Sequence, residues 1–525
     1  MIVVRGEAPS VALRPLVPVD GTFRGPVSLF NAGLDRLDER GLSHPYLADA
    51  LPQLNTDSWS LLPNGRMETR YRLKNGLAWQ DGTPLSSEDF GFAWRVYATP
   101  ALGQSGSPPF SFMEDVLTPD PGTVVIRWRQ PYGEAGVLNE EFQALPRHIL
   151  QQPFQDLDPA AFANLPFWSA EYVGLGAYKV ERWEPGAFIE ARAFEGFALG
   201  RPKIERVKIM FIPDPNTALA GLLSGETHYV GETIFGDNHA QTLENQWAAT
   251  QGGTVLYSPT SLKISEIQLR AEHADPPALL DVRVRRALAH GIDSATANEV
   301  LTRGRAAITS SLTSPRVEFY PEIDRAIAKY PFDPVRVGQL MQEAGYVRGG
   351  DGFFVSRDGA SMDFGVSSSS GAQNEQENAV IVDSLRKAGF SSSPQVYPAI
   401  QLTELEARAL TPGLSTRGVS KALKNFTSEQ IPRADNRWRG FNRPGWASPA
   451  YDRAFEALNA SLEPAKRVEN IAELERVFTQ DLPAIPHWFN PKITAHVVAL
   501  KGPAALQVPD VTLTIPGVHE WEWSP

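Results

Sequence analysis

Forty-three prolines and forty-two glycines are spread along all 525 residues, and this punctuation constrains the chain more than any other feature. Proline removes a backbone donor, and glycine weakens helices and strands from within. A chain interrupted along its whole length builds many short elements joined by ordered loops. At 525 residues a single hydrophobic core has stopped growing, so those elements divide among two or more domains. No internal repeat is visible. The nearest approach to low complexity is the run SSSSGAQ, Ser367–Gln373.

The punctuation also marks element ends. In DPNTALAGLLSGE, Asp214-Pro215 opens a helix, Ala218, Leu219 and Leu222 face inward, and Gly225 stops it. FDPVRVGQLMQEAGY repeats the design with Asp333-Pro334, a stripe of Val337, Leu340, Met341 and Ala344, and Gly345. Ser448 and Pro449 open a third helix, with Tyr451, Phe455 and Leu458 at helical spacing. A fourth is predicted from Asn374 to Ala388, ended by Gly389. Between them TVVIRW (Thr123–Trp128), KIERVKIMFI (Lys203–Ile212) and TVLYS (Thr254–Ser258) read as strands. ETRYRLKNG, Glu68–Gly76, alternates and ends in an Asn-Gly turn. Helices and strands mix without strict alternation, which predicts α/β domains with mixed, partly antiparallel sheets.

One polar stretch, WQDGTPLSSEDFGFAWRVYATP from Trp79, looks chemical at first sight. Each polar residue in it has a local structural task. Asp81-Gly82-Thr83-Pro84 is a turn, and Ser86 with Asp89 fits a helix start. Phe90, Ala93 and Tyr97, with Trp94 beside them, then form the buried side of a helix ending before Pro100.

Catalytic signatures are lacking. The nine histidines include no HExxH pair, and zero cysteines exclude disulfides, thiolate metal sites and a cysteine nucleophile. No phosphate loop and no GxSxG elbow occur. GLGAY, Gly174–Tyr178, fails the dinucleotide fingerprint in pattern and in context, since a strand-like stretch follows it. Carboxylates are abundant, and nothing singles out a glycosidase pair. A net charge of −12 argues against a nucleic-acid partner or an anionic membrane surface. No window approaches eighteen apolar residues, and the first ten residues do not read as a signal peptide. Tryptophan is abundant at twelve residues, several of them beside polar groups in RADNRWRGFNRPGWAS and IPHWFNPK. Aromatic walls with a few directional polar groups suit a pocket for an organic ligand; filling domain edges is the alternative role for Trp438, Trp446 and Trp488.

Taken in order, five blocks resemble the extracellular solute-binding proteins of the peptide/nickel/opine type (family 5), the substrate-binding components of ABC importers. They are RLDERGLSHPYLADALPQLNTDSW (Arg36–Trp59), RMETRYRLKNGLAWQDGTPLSSEDFGFAWR (Arg66–Arg95), GLGAYKVERWEPG (Gly174–Gly186), DPNTALAGLLSGETHYV, and DVRVRRALAHGID (Asp281–Asp293). The resemblance implies a two-lobed periplasmic-binding-protein-like clamp (type II, cluster C) with an extra small domain. Residues 1–35, 172–260 and 496–525 would form the discontinuous first lobe, 36–171 the small domain attached to it, and 261–495 the second lobe. It implies ligand capture between the lobes and delivery to a permease, without catalysis and without a cofactor or bound metal. The partners implied are a peptide or other small-molecule ligand and the permease and ATPase subunits of the transporter. The chain would act as a monomer in the periplasm or outside the cell. A ligand-sensing module for a signalling partner and a hydrolase on the same fold are the competing readings.

The ligand residues implied by the same resemblance are Phe30 and Asn31 in SLFNAGL, Ser368 and Ser369 ahead of a helix, and Trp438 with Arg439 or Arg417 to stack on and pair with an acid. Trp488 and Phe489 would return near the hinge. Peptide binders of the family usually carry an aspartate, ahead of the segment matching Arg437–Phe441, for the ligand's ammonium. Here that loop is rich in Arg and Lys, and Asp435 is its only aspartate. Either Asp435 takes that role, or the ligand is not an ordinary peptide; a basic loop suits an anionic solute.

Overall fold

The computed structural model describes residues 1–5, 27–103, 105, 108–138, 141–398, 401, 404–420, 422–509 and 517–524. Parts of the expected first lobe, 6–26 and 510–516, lie outside them. The predicted helices form where their caps place them. Asp214 accepts from the Thr217 amide at 2.7 Å at the head of Pro215–Ser224, and Gly225 ends that helix at φ 77°. Asp333 accepts from the Val335 and Arg336 amides at the head of Pro334–Glu343. The predicted fourth helix runs Ala372–Ala388 and closes on Gly389 at φ 103°.

Among the described residues eleven strands make one large mixed sheet, one of them the two-residue strand Ala307–Ile308 paired off the main path with Phe489 and Trp488. Its continuity rests on two long antiparallel strands, Gly253–Ile267 and Ala484–Val497. The first extends well past the predicted Thr254–Ser258. The chain passes Pro259 through an irregularity in the ladder. Pro259 pairs with Pro491 and Leu262 with Phe489, so Thr260 and Ser261 stand opposite Asn490 alone. On one side of this bulge, Ala484–Val497 pairs with Tyr229–Phe235, and Ile2–Arg5, Arg206–Phe211, Phe188–Ala193 and Tyr178–Glu184 follow outward. On the other side, Gly253–Ile267 pairs with Leu414–Val419, and Phe364–Ser369 and Ser392–Tyr397 complete the sheet in parallel.

Each half of the sheet is covered by apolar layers. Val4, Val230, Phe235, Leu243, Ile493 and Ala495 make one layer of the first lobe. The larger core there also takes in Trp79, Phe90, Tyr97, Trp128 and Phe142, so the stretch expected as a small domain, 36–171, shares one core with the strands carrying Ile209 and Tyr229. In the second lobe, Ile267, Leu288, Val366 and Leu385 pack on one face, and Leu262, Ile264, Tyr451 and Phe478 on the other.

Two of the sequence blocks explain each other. Gln80 accepts from the Gly174 amide at 3.1 Å and donates to the carbonyls of Gly176 and Tyr178 at 3.0 and 2.8 Å. The Gly176 amide donates to the Phe30 carbonyl at 3.0 Å. This approach leaves no room for a side chain, since a Cβ on Gly176 would stand 2.3 Å from the Phe30 carbonyl carbon. The Trp79–Pro100 stretch is thus a joint. Asp89 accepts from the Ser86 amide at 3.0 Å and from the Arg147 amide at 3.0 Å, and Asp81 pairs with His148 at 2.7 Å.

Candidate functional site

The strand bulge is where a crevice between the lobes is expected, because two sets of parallel strands end there. In the first lobe the strands ending at Arg5, Phe211 and Phe235 are parallel to one another. Their carboxyl ends lie toward the crossing, because Tyr229 pairs with His496 while Phe235 pairs with Ile493. In the second lobe the parallel strands ending at Ser369, Tyr397 and Val419 also turn their carboxyl ends to the crossing, where Val419 pairs with Leu262. In open α/β sheets, ligands bind outside the carboxyl ends of parallel strands. Here two such ends face each other across one bulge.

Side chains tie the lobes together on both flanks. From the first lobe, Asp237 and Glu244 on the helix Asp237–Thr250 receive Arg305 of the second lobe at 2.8 and 2.9 Å. Arg303 joins Asp237 at 3.1 Å, and the Arg305 guanidinium lies 4.4 Å from the centroid of the Tyr257 ring. From the small domain, Glu134 meets Arg467 at 3.3 Å, and the Gly133 amide donates to the Asn459 carbonyl at 2.9 Å. None of these bridging residues stands out in the sequence, because each is an ordinary surface charge until the fold pairs it.

The residues singled out from sequence are distributed unevenly. Ser368 and Ser369 stand at the carboxyl end of Phe364–Ser369, ahead of the helix Ala372–Ala388. Their hydroxyls are already engaged by Asn378 at 3.3 Å and Asn374 at 2.8 Å, and Glu375 accepts from the Gly371 amide at 3.0 Å. A carboxylate thus already occupies part of this helix start, which weakens it as an acid-binding site. Phe30 is fully buried in the shared core, and Asn31 donates to Gln143 at 2.8 Å.

Arg417 does not await an acid: its guanidinium grips Glu266 with two bonds of 2.7 Å and donates to the Phe441 carbonyl at 2.9 Å. Trp488 and Phe489 are core residues, 0% and 2% exposed, and do not form an aromatic wall. Trp446 is buried too, and its indole donates to Asp481 at 3.2 Å. Asp435 and Arg439 are exposed and Trp438 is partly covered, in a turn where Arg437 and Trp438 both take left-handed backbone at φ 56° and 59°. That turn follows Pro432, whose carbonyl takes a 3.1 Å bond from Arg270. Arg270 lies beyond Ile267, at the end of the long strand away from the bulge. The end of the same segment lies against the strand beside Ser369, since the Phe441 carbonyl accepts from Arg417 and Ser415, two residues before Arg417, pairs with Ser367.

Sequence reading missed a buried charged group on the long strand just past the bulge. Lys263 forms an ion pair with Glu377, and the two side chains are 2% and 4% exposed. His487 lies beside them, fully buried, with Nε2 2.8 Å from Ser265 Oγ. Burial, reinforced by Lys263, pushes the His487 pKa down to about 3, so it is neutral. Among the described residues no cluster of three or more His, Asp or Glu is arranged to hold a metal. No helix among them is long and apolar enough to cross a membrane.

Comparison with known proteins matches this architecture. The family model for bacterial extracellular solute-binding proteins, family 5 (middle), covers residues 50–420. An ABC transporter peptide-binding protein of Brucella ovis is 25% identical over 269 residues, covering 51% of this chain and 47% of the relative. This chain thus spans about half the length of that relative. The oligopeptide-binding protein AppA of Bacillus subtilis is 24% identical over 378 residues, 71% of this chain and 64% of AppA. Among solved structures, the periplasmic oligopeptide-binding protein of Thermotoga maritima superposes with a TM-score of 0.80 at 20% identity, covering 100% of this chain and 99% of that one. NikZ of Campylobacter jejuni, in complex with Ni(L-His), superposes with a TM-score of 0.78 at 20% identity over 99% and 98% of the two chains.

Proposed function

We propose that this chain, which belongs to the bacterial extracellular solute-binding proteins of family 5, is the substrate-binding component of an ABC importer. It captures an oligopeptide or related small organic solute between its lobes and hands it, unaltered, to a permease driven by ATPase subunits. It works as a monomer in the periplasm or outside the cell. The observation that carries this reading is the pair of facing strand ends at the bulge of Gly253–Ile267 and Ala484–Val497. A ligand there touches both lobes only when they are together, and that differential contact is what drives closure. Peptide as the solute class is supported by the peptide-binding relatives. Delivery of the solute unaltered is supported by membership of a solute-binding family.

Native mass spectrometry of the purified protein, with identification of any co-purified molecule, tests the reading. The expected result is a peptide or peptide-like adduct that survives prolonged incubation unchanged. Steady conversion of the bound molecule would replace transport with catalysis.

A further inference from the structure

The turn between two helices of the second lobe reaches across to the stretch 36–171. The helices are Pro449–Ala460 and Pro464–Asp481, and both pack on the core that holds Leu262 and Ile264. Pro464–Asp481 has 18 residues, which makes it about 27 Å long. It leads into Ala484–Val497, whose second-lobe part, Ala484 to Asn490, spans only about 20 Å. The helix is therefore long enough to carry its first turn past the bulge.

Three contacts are made there. Leu462 packs against the core that holds Tyr132. The Gly133 amide donates to the Asn459 carbonyl at 2.9 Å. Arg467 meets Glu134 at 3.3 Å, and Glu134 accepts from the Tyr132 hydroxyl at 3.2 Å. The receiving surface is stiff. Tyr132 is buried, its ring stacked 4.8 Å from that of Phe112 and tilted 5.2 Å from that of Trp128.

This contact explains Gly133. Its backbone is not in the left-handed region that favours glycine. A Cβ there would run into the Ser461 carbonyl and the Arg467 guanidinium, so the atoms nearest to it all belong to the second lobe. The arginine tip could swing away, but the carbonyl is fixed at the end of Pro449–Ala460. A glycine is needed at this position only while the two lobes are together.

We propose that residues 132–134 are a seat for the Asn459–Arg467 turn, and that this seat holds a fraction of the ligand-free chain closed. The seat presupposes the two-lobed clamp proposed above, and gives the stretch 36–171 a task in it. Ligand then selects a closed state that the seat has already populated. Apparent affinity scales with that populated fraction, so weakening the seat weakens binding.

The chain has no cysteine, so two can be introduced for spin labels at the exposed residues Leu61 and Val335, one in each of the two bodies that the seat joins. Double electron–electron resonance on the ligand-free, labelled protein should then give two distances, the closed one matching the separation in this structure. Gly133→Val should lower the ratio of closed to open by about tenfold or more, with the secondary structure unchanged by circular dichroism. Should that variant fail to fold, Leu462→Ser loosens the same contact from the other lobe and should lower the ratio by about fivefold. A ligand-free chain that is wholly open, or a distribution that neither substitution moves, would overturn the proposal. A defined mixture of three- to five-residue peptides then tells how much falls. If the peptides shift the distribution, the clamp stands without the seat; if they leave it unmoved, the two-lobed reading falls as well.

Discussion

Two buried groups give the folded state opposite responses to pH. Glu475 is fully buried, accepts from the Leu312 amide at 2.9 Å and from the Thr313 hydroxyl at 2.6 Å, and has its pKa raised by burial to about 7. A raised carboxyl favours the protonated fold, so its stabilisation is complete below the unfolded value of 4.5 and is lost as pH rises through 7. Glu475→Gln removes that slope. Relative to the unaltered protein it should gain, between pH 4.5 and 8, stability on the order of 3 kcal/mol, read from denaturant melts at each pH. His487 acts in the other direction. Its pKa is depressed to about 3, so its contribution is present above 6.5 and is lost as pH falls toward 3. A second residue-scale expectation concerns Lys263 and Glu377. Glu377→Gln strands a buried ammonium and should cost about 3–5 kcal/mol of stability. A loss under about 1 kcal/mol would show that Lys263 finds water or another partner.

At the scale of elements, helix boundaries were legible because Asp-Pro, Ser-Pro and glycine act locally. The stop at Gly225 and the start at Asp333 need only their neighbours in sequence. The long strand was not legible past Pro259, because its continuation depends on Asn490, Pro491 and Phe489, more than two hundred residues away. The same limit governs the site. Arg417 reads as a free cation until Glu266 is seen beside it, and Trp488 reads as a ligand wall until Ala297 and Ala306 close over it. The family blocks were legible as patterns, and the fold supplies their cause. The glycines of GLGAY exist to admit the backbone at Phe30, so Gly176→Ala should destabilise the first lobe by about 1–3 kcal/mol. An unchanged melting curve would show that the backbone there shifts freely.

For the whole molecule, ligand contact and the charges that bridge the lobes both favour closure. Arg305 joins Asp237 and Glu244 in a partly exposed setting, where such a group is worth about 1 kcal/mol at most per pair. Arg305→Gln should therefore weaken the apparent affinity for ligand by about fivefold, mainly by favouring the open state. Titration calorimetry at low and high salt checks this, since the unaltered protein should lose the same advantage as salt screens the bridge. The central claim, that a ligand draws two lobes together, is tested most directly by small-angle X-ray scattering of the purified protein stripped of ligand. The probe is a defined mixture of three- to five-residue peptides. The account predicts a saturable fall in the radius of gyration as the peptides bind, with the peptides recovered intact. Binding with no change in the radius of gyration would contradict it.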